Sequence, residues 1–244
     1  MADSAIDPRL RIGGAPETDP SVELAGPNPP LAERDGVTLF VHGWFGRRSS
    51  VADAAAFERA FASRDEPALV VPVQWTAATP NFWRARRRAD AAGAALADWL
   101  RRFRNRRPDV DLRLVAHSLG ARLGLRALSA LDGAVVFDAV ALLAPGVDAD
   151  AVCPGGPYED GIRSSAGSVY AYVSRRDQVL RWVYRVLALH QALGTDGPRC
   201  GKTGSRTAPL TTVDVTAVVG SHGAYLDPDR NERWGDRLTT DLRG

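Results

Sequence analysis

Strand and helix patterns alternate along most of this chain, and the alternation limits the folds that it can adopt. Short apolar runs are followed by longer segments in which apolar residues recur every three or four positions. The runs occupy residues 37–41, 68–75, 112–116, 135–143, 168–174 and 212–219, and the helical segments occupy 51–63, 82–104, 119–131, 178–193 and about 229–242. Because strands separated by helices need crossover connections, the pattern predicts an α/β fold with a mostly parallel central sheet and helices on both faces.

The chain is predicted to form one domain preceded by an N-terminal arm. Residues 1–35 are rich in Pro, Gly and acidic residues and have little periodicity, which indicates an extended or disordered arm. Residues 36–244 contain neither an internal repeat nor a change of composition that would mark a second domain. We therefore expect a single α/β domain over residues 36–244, a length that one hydrophobic core can serve.

Charge and composition argue against several classes of partner. Lys and Arg total 31 and Asp and Glu total 29, so the net charge of +2 gives no overall attraction to nucleic acid. The arginines at 84–88 and 101–107 are interpreted as the solvated face of a helix, with a patch for anionic lipid or nucleic acid as the alternative. We find no apolar run of the roughly 20 residues that span a membrane and no secretory signal. We expect a cytoplasmic protein without stable membrane insertion, and its oligomeric state stays open.

The two cysteines and four histidines give no indication of a metal site. Cys153 and Cys200 form no C-x-x-C pair, and no H-E-x-x-H sequence occurs. Two unpaired thiols are the favoured interpretation, and a disulfide between two loops is the alternative. Neither a metal nor another cofactor is predicted.

A serine lies where a strand pattern meets a helix pattern. The segment L-V-A-H-S-L-G ends an apolar run, and Ser118 directly precedes the helical segment 119–131. The small residues Ala116 and Gly120 fit the crowded strand-to-helix turn called the nucleophile elbow, whose usual form is G-x-S-x-G. Ser118 is therefore the candidate nucleophile, and a helix-capping serine is the alternative. The backbone N–H of Leu119 would then donate to a developing oxyanion.

A histidine and a carboxylate that could activate this serine follow later strands. His222 lies in a Gly-flanked loop after the last run, where it can act as a general base. Two aspartates compete to orient its ring, since Asp177 follows the run 168–174 and Asp148 follows the run 135–143. Asp177 is preferred because it lies one strand before the histidine. Both choices keep the order Ser, Asp, His that is typical of α/β-hydrolases.

The H-G-W loop after the first run and one apolar helix are expected to complete the site. The backbone N–H of Trp44, or that of Phe45, is the predicted second oxyanion donor, and Gly43 permits an unusual backbone conformation beside it. Phe45 and Trp182 are the candidate pocket residues. Trp182 belongs to the segment 178–193, which is predicted to be either a core helix or a lid that walls an acyl pocket.

Several segments together resemble a known family. V-A-H-S-L-G, L-L-A-P-G-V-D-A-D, Y-V-S-R-R-D-Q-V-L and G-S-H-G, together with H-G-W, are similar to the α/β-hydrolase superfamily over about residues 37–225. More narrowly, they resemble an uncharacterised hydrolase-like family known as DUF900. The resemblance implies a serine-hydrolase site and favours Asp177, whose S-x-x-D segment at 174–177 matches that of the family. It implies no particular substrate.

The predicted function is hydrolysis of a carboxylic ester or thioester. Ser118 would attack the carbonyl carbon, an acyl-enzyme would form, and water would release the acid. Acyl transfer to an acceptor other than water uses the same three residues and is one alternative. A non-catalytic binding protein is the other, because a fold alone does not establish activity. The expected partner is a small-molecule ester or other acyl compound.

Overall fold

The structure, a computed structural model, describes residues 9–15, 17, 19–25, 35–66, 68–201 and 209–243. Its strands are β1 (Arg9–Ala15), β2 (Asp19–Ala25), β3 (Gly36–Val41), β4 (Leu69–Gln74), β5 (Asp111–His117), β6 (Phe137–Leu143), β7 (Ala166–Val173) and β8 (Leu210–Asp214). Its α-helices are α1 (Ser50–Ala62), α2 (Phe82–Arg106), α3 (Leu119–Leu131), α4 (Glu159–Ser165), α5 (Arg185–Ala188), α6 (Leu193–Asp196) and α7 (Glu232–Arg243). A π-helical turn, Val179–Tyr184, leads into α5, and a 3₁₀ turn, His222–Leu226, precedes α7.

The eight strands form one sheet in the order β2-β1-β4-β3-β5-β6-β7-β8. Every neighbouring pair is parallel except β1 and β2. Buried side chains of α2, α3 and α4 pack on one face, and those of α1, α7 and the π-helical turn pack on the other. The prediction of a mostly parallel sheet covered on both faces is confirmed. Parallel pairing brings the carboxyl ends of β3, β5, β6 and β7 to the same edge, where ligands bind in open α/β sheets.

The segment predicted as an N-terminal arm contributes two strands to the sheet. β1 and β2 form an antiparallel pair, and β1 also lies beside β4 with Leu10 opposite Val73. Leu10 and Ile12 are buried, because the alternation R-L-R-I directs every second side chain into the core. The arm is therefore not disordered over residues 9–15 and 19–25, and the domain predicted over residues 36–244 omitted this part of the sheet. Residues 1–8 and 26–34 lie outside the described residues.

This hairpin also accounts for some of the arginines on α2. Glu17 lies within ion-pair distance of Arg84, Arg87 and Arg88, at 2.9, 3.4 and 3.4 Å. The basic residues at 84–88 are thus partly neutralised by the chain itself, which supports the interpretation of a charged helix face.

The single helix predicted over residues 178–193 is divided in the structure. The π-helical turn and α5 end at Leu189, whose backbone is left-handed (φ 60°), and α6 starts only at Leu193. Ala192 lies between α5 and α6 and pairs with Asp148 in an isolated β-bridge. Leucine seldom adopts the left-handed conformation, so a leucine at position 189 gives no sign in the sequence that a helix ends there. The last strand is also shorter than predicted, because the chain turns after Asp214.

Cys153 and Cys200 form a disulfide, with Cα atoms 5.3 Å apart. The favoured prediction of two unpaired thiols is therefore wrong. The bond joins the loop after β6 to the segment after α6, and 47 positions of sequence separate its two ends. Within the described ranges, no helix is both long enough and apolar enough to cross a membrane.

Candidate active site

Ser118 lies on a sharp turn between β5 and α3. Its backbone has φ 56° and ψ −124°, a combination that residues other than glycine rarely adopt. Gly120 makes the turn feasible, because a Cβ atom at that position would lie 2.5 Å from the carbonyl oxygen of Val41. The Ser118 side chain makes no capping hydrogen bond to α3, so it does not have the alternative role of a helix cap. The chain has formed the strained strand-to-helix turn that the sequence predicted.

Three side chains from different loops form one hydrogen-bonded chain. Nε2 of His222 lies 2.9 Å from Oγ of Ser118, and Nδ1 of His222 lies 2.6 Å from Oδ2 of Asp177. Asp177 is fully buried, and its other carboxylate oxygen accepts the backbone N–H of Leu180 at 2.9 Å. A carboxylate can only accept, so Nδ1–H of His222 donates to it and Nε2 is left to accept the serine proton.

Asp148, the alternative acid, has other partners. Its carboxylate accepts hydrogen bonds from Nη2 of Arg86 and from Oη of Tyr184, both at 2.7 Å. Burial by itself would raise the pKa of Asp148, but the hydrogen bonds from Tyr184 and Arg86 outweigh burial and hold this pKa below its usual value. Asp148 therefore fastens the π-helical turn to α2, and Asp177 is the aspartate that contacts His222.

Two further histidines support the loops of the site. Nε2–H of His117 donates to the backbone oxygen of His222 at 3.0 Å. Nδ1–H of His42 donates to the carbonyl of Gly43 at 2.8 Å, while its Nε2 accepts the backbone N–H of Trp75 at 3.3 Å. Burial lowers the pKa of His117 to about 3 and that of His42 to about 4, so both rings are neutral near pH 7.

Trp75 is a supporting residue that the sequence analysis did not identify. Its indole N–H donates to the carbonyl of His42 at 2.9 Å, and its ring stacks on the His42 ring with centroids 5.7 Å apart. The only sequence signal was an aromatic residue at the end of a strand pattern, and this signal does not distinguish support of a loop from ordinary core packing.

Two backbone N–H groups predicted as oxyanion donors lie next to the serine. Gly43 packs so closely that a Cβ atom there would lie 2.8 Å from Cβ of Ser118, which places the loop of Trp44 beside the hydroxyl. The Trp44 indole donates to the Thr79 carbonyl at 2.8 Å, so the side chain is fixed. Among the described backbone hydrogen bonds outside helices and strands, none is donated by the N–H of Trp44 or of Leu119. Their role as oxyanion donors stays a prediction.

Ser118 lies between two cavities. A mostly apolar one of about 40 Å³ is lined by Trp44, Phe82, Leu119 and Gly146 and by Val179, Leu180, Val183, Tyr184 and Leu187. A larger one of about 220 Å³ contains His222, His117 and His42 together with Phe45 and Leu226. Phe45 lines this larger cavity and is 57% exposed.

Trp182 does not have its predicted place in the pocket. Its side chain is 57% exposed and lines neither cavity, and its indole N–H donates to Oε1 of Gln178 at 2.8 Å. The neighbouring residues Leu180 and Val183 line the apolar cavity in its place, because the π-helical turn points them inward. In the described ranges, no three His, Cys, Asp or Glu side chains are grouped so that they could hold a metal ion.

Comparisons with known proteins identify one matching family and several similar solved structures. The sequence profile of a family described as an alpha/beta hydrolase of unknown function (DUF900) matches residues 30–231. Similar solved structures include a predicted CIB-like hydrolase from Thermoplasma acidophilum, with 14% identity, a TM-score of 0.49 and 97% of each chain covered. An esterase from Pyrobaculum calidifontis has 13% identity and a TM-score of 0.49, over 97% of this chain and 84% of that one. The RedJ thioesterase from Streptomyces coelicolor has 16% identity and a TM-score of 0.45, over 90% and 91%. No curated protein matched.

Proposed function

The chain belongs to the α/β-hydrolase family of unknown function, DUF900, and we propose that it hydrolyses a carboxylic ester or thioester through an acyl-enzyme on Ser118. The observation that carries this proposal is the hydrogen-bonded chain from Ser118 through His222 to Asp177. A serine hydroxyl is a weak nucleophile by itself, and a neighbouring base oriented by a third group is what activates it.

Each of the three side chains has a defined part in the proposed reaction. As Oγ of Ser118 attacks the carbonyl carbon, Nε2 of His222 takes the hydroxyl proton, and the Asp177 carboxylate stabilises the imidazolium that results. The backbone N–H groups of Trp44 and Leu119 donate to the oxyanion. The imidazolium then returns the proton to the leaving oxygen or sulfur, and the bond from this atom to the carbonyl carbon breaks. Water repeats the sequence and releases the acid.

The positions of the two cavities suggest where the leaving group and the acyl group of the substrate bind. The leaving group must be near His222, which protonates it, and the cavity of about 220 Å³ contains that ring. The acyl group then occupies the apolar cavity on the Leu119 side, whose volume is about 40 Å³. Because this cavity is small, we expect short acyl groups to be turned over faster than long ones.

Covalent labelling tests the proposal. We expect a fluorophosphonate probe to add once to the folded wild-type protein, with the mass increase on the peptide that contains Ser118. Ser118→Ala should lose the adduct, whereas Ser49→Ala, at an exposed serine outside the site, should keep it. Failure of the folded wild type to react would contradict the proposal and favour a binding protein. Turnover that required an added alcohol or thiol would instead indicate acyl transfer.

A further inference from the structure

Exposed apolar side chains are concentrated on one segment. Within the described residues, the exposed large apolar side chains are Phe45, Trp83, Val136, Val179, Trp182, Val183, Val186 and Leu189. Five of these eight belong to residues 179–189, which comprise the π-helical turn, α5 and the residue that ends α5; we call this stretch the 179–189 segment. The exposed fraction rises to 68% at Val186 and 81% at Leu189. This density of exposed apolar surface on one short segment is unusual for a surface helix.

The 179–189 segment is apolar on two faces. Leu180, Tyr184 and Ala188 are buried and hold the segment to the body of the protein. Val179 and Val183 line the apolar cavity, whereas Trp182, Val186 and Leu189 line none of the described cavities and recur at helical spacing as an outer stripe. A helix that only covers a core exposes polar residues outward, so the outer stripe requires another explanation.

Two more exposed aromatic residues, Trp83 and Phe45, contact rings that line the apolar cavity. The buried ring of Tyr184 contacts Phe82 at a centroid distance of 5.6 Å, and Phe82 contacts Trp83 at 6.1 Å. Phe82 also contacts Trp44 at 5.5 Å, and Trp44 stacks on Phe45 at 4.9 Å. Trp83 and Phe45 therefore add exposed aromatic surface next to residues that line the apolar cavity.

A basic cavity adjoins the segment on its other side. This cavity has a volume of about 240 Å³ and is lined by Arg175, Leu180, Arg181, Arg185, Gln191, Thr195, Asp196 and Arg199. Arg175 lies 3.6 Å from Asp196 and 3.2 Å from Asp214. The other three arginines make no ion pair with any described residue, so the lining carries a clear positive excess. Guanidinium groups bind phosphate oxygens in pairs of hydrogen bonds, which suits such a lining to phosphate.

We propose that the 179–189 segment docks on the surface of an anionic phospholipid bilayer. Its outer apolar stripe would lie at the boundary of the acyl chains, and Arg181, Arg185 and Arg199 would contact lipid phosphates. A short helix with Trp and aliphatic residues beside arginines is typical of interfacial membrane binding. A second copy of the chain fits the surface less well, because symmetric pairing would bring two sets of unpaired arginines together. This binding does not depend on the proposed hydrolysis.

Vesicle co-sedimentation of the purified full-length chain tests the apolar part of the proposal. We expect binding to vesicles of phosphatidylcholine with phosphatidylglycerol, and at least tenfold weaker binding to phosphatidylcholine alone. Val186→Asp should weaken binding to the anionic vesicles at least tenfold. The matched control is Val136→Asp, which changes an exposed valine (46%) just before β6 and should leave binding unchanged.

The arginines are tested in the same assay. Combined Arg181→Gln and Arg185→Gln should lower binding to anionic vesicles about 30-fold and reduce its sensitivity to salt, since each Lys or Arg near an anionic surface contributes about 1 kcal/mol. Arg102→Gln, at an exposed arginine of α2, is the control. Saturable binding of inorganic phosphate by a protein that does not bind anionic vesicles would assign the basic cavity to a free anion and contradict docking through lipid headgroups.

Three results would overturn the proposal. They are no binding of the wild type to anionic vesicles, an equal loss of binding in Val136→Asp, and concentration-dependent dimerisation that Val186→Asp abolishes. The last result would assign the surface to a second copy. Ser118→Ala should bind vesicles like the wild type, so a failure of membrane docking is distinguishable from a failure of the proposed hydrolysis.

Discussion

Oδ2 of Asp177 lies 2.6 Å from Nδ1 of His222, and the aspartate side chain is completely buried. Its other oxygen is held by the backbone N–H of Leu180, the residue that also lines the apolar cavity. The group that orients the candidate base is therefore fixed by the same π-helical turn that forms the wall of the proposed acyl site. A change in this turn would affect the base and the acyl site together.

Replacement of this carboxylate should separate the roles of the two aspartates. We expect Asp177→Asn to lower kcat for a short ester by about 10⁴-fold, because an amide no longer selects the tautomer of His222 that can accept the serine proton. Asp148→Asn should reduce kcat far less and should instead lower the free energy of unfolding, since the partly buried ion pair with Arg86 would lose its negative charge. Steady-state kinetics and urea unfolding of both variants provide the measurement. Equal losses of kcat would refute the assignment.

The close contact between Gly43 and Ser118 should be intolerant of a methyl group. In Gly43→Ala the new Cβ atom would lie 2.8 Å from Cβ of Ser118, so the loop that carries the Trp44 N–H must move. We expect kcat to fall about 100-fold, because a displacement of about 1 Å of a group in the catalytic geometry lowers the rate by about this factor. Gly220→Ala is the matched control, because a Cβ atom there meets nothing within 4 Å. Similar kinetics for the two variants would exclude a role for this loop.

The buried histidines should make stability depend on pH below neutrality. Burial lowers the pKa of His117 to about 3, whereas a histidine in the unfolded chain titrates near its ordinary value of about 6.5. Between these values the unfolded chain binds a proton that the folded chain does not. The free energy of unfolding therefore rises with pH in this window and is reduced as the pH falls, by up to about 1.4 kcal/mol per pH unit for each such group.

A variant without the titrating ring isolates this contribution. His117→Gln retains a hydrogen-bond donor but cannot titrate, so it should flatten the dependence of the unfolding free energy on pH between about pH 4 and 6. His190→Gln, at an exposed histidine, should leave the dependence unchanged. Urea unfolding at several pH values supplies the comparison, and identical slopes for His117→Gln and wild type would contradict the buried neutral state.

Loss of the disulfide should destabilise the protein. The bond between Cys153 and Cys200 closes a loop across 47 positions, and the chain-entropy argument gives about 4 kcal/mol for a loop of this length. We expect the combined change Cys153→Ser and Cys200→Ser to lower the free energy of unfolding by about 2–4 kcal/mol. Wild-type protein unfolded in urea with a reducing agent should match the variant. No effect of the reductant on the wild type would show that the bond does not form in solution.

Enlargement of the apolar cavity should change the preferred acyl length. Leu187→Ala removes a side chain that lines this cavity, so kcat/KM for a hexanoyl ester relative to an acetyl ester should rise about tenfold, within the range expected for one or two methylenes in a pocket. Val186→Ala, at the exposed neighbouring position, should leave the ratio unchanged. The same ratio in both variants would place the acyl group elsewhere.

Local patterns in the sequence predicted several elements closely. The helix expected over residues 119–131 is Leu119–Leu131 in the structure, and the turn at Ser118 was signalled by small residues on both sides. These features depend on residues near in sequence, because periodicity reports which side of an element is buried and small side chains report a crowded turn. The hairpin of β1 and β2 was missed although R-L-R-I alternates, since its glycines and prolines suggested a loop.

The sequence by itself therefore determined the α/β class, the turn at Ser118 and the chain order of the candidate site. Only the tertiary structure shows that Asp177 and not Asp148 contacts His222, since both follow parallel strands and the loop after each strand sets what its carboxylate reaches. It also decided that Cys153 pairs with Cys200 and that Trp182 faces outward. The physical reason is that such contacts join residues far apart in sequence, and packing between elements, which no local pattern encodes, sets their distances.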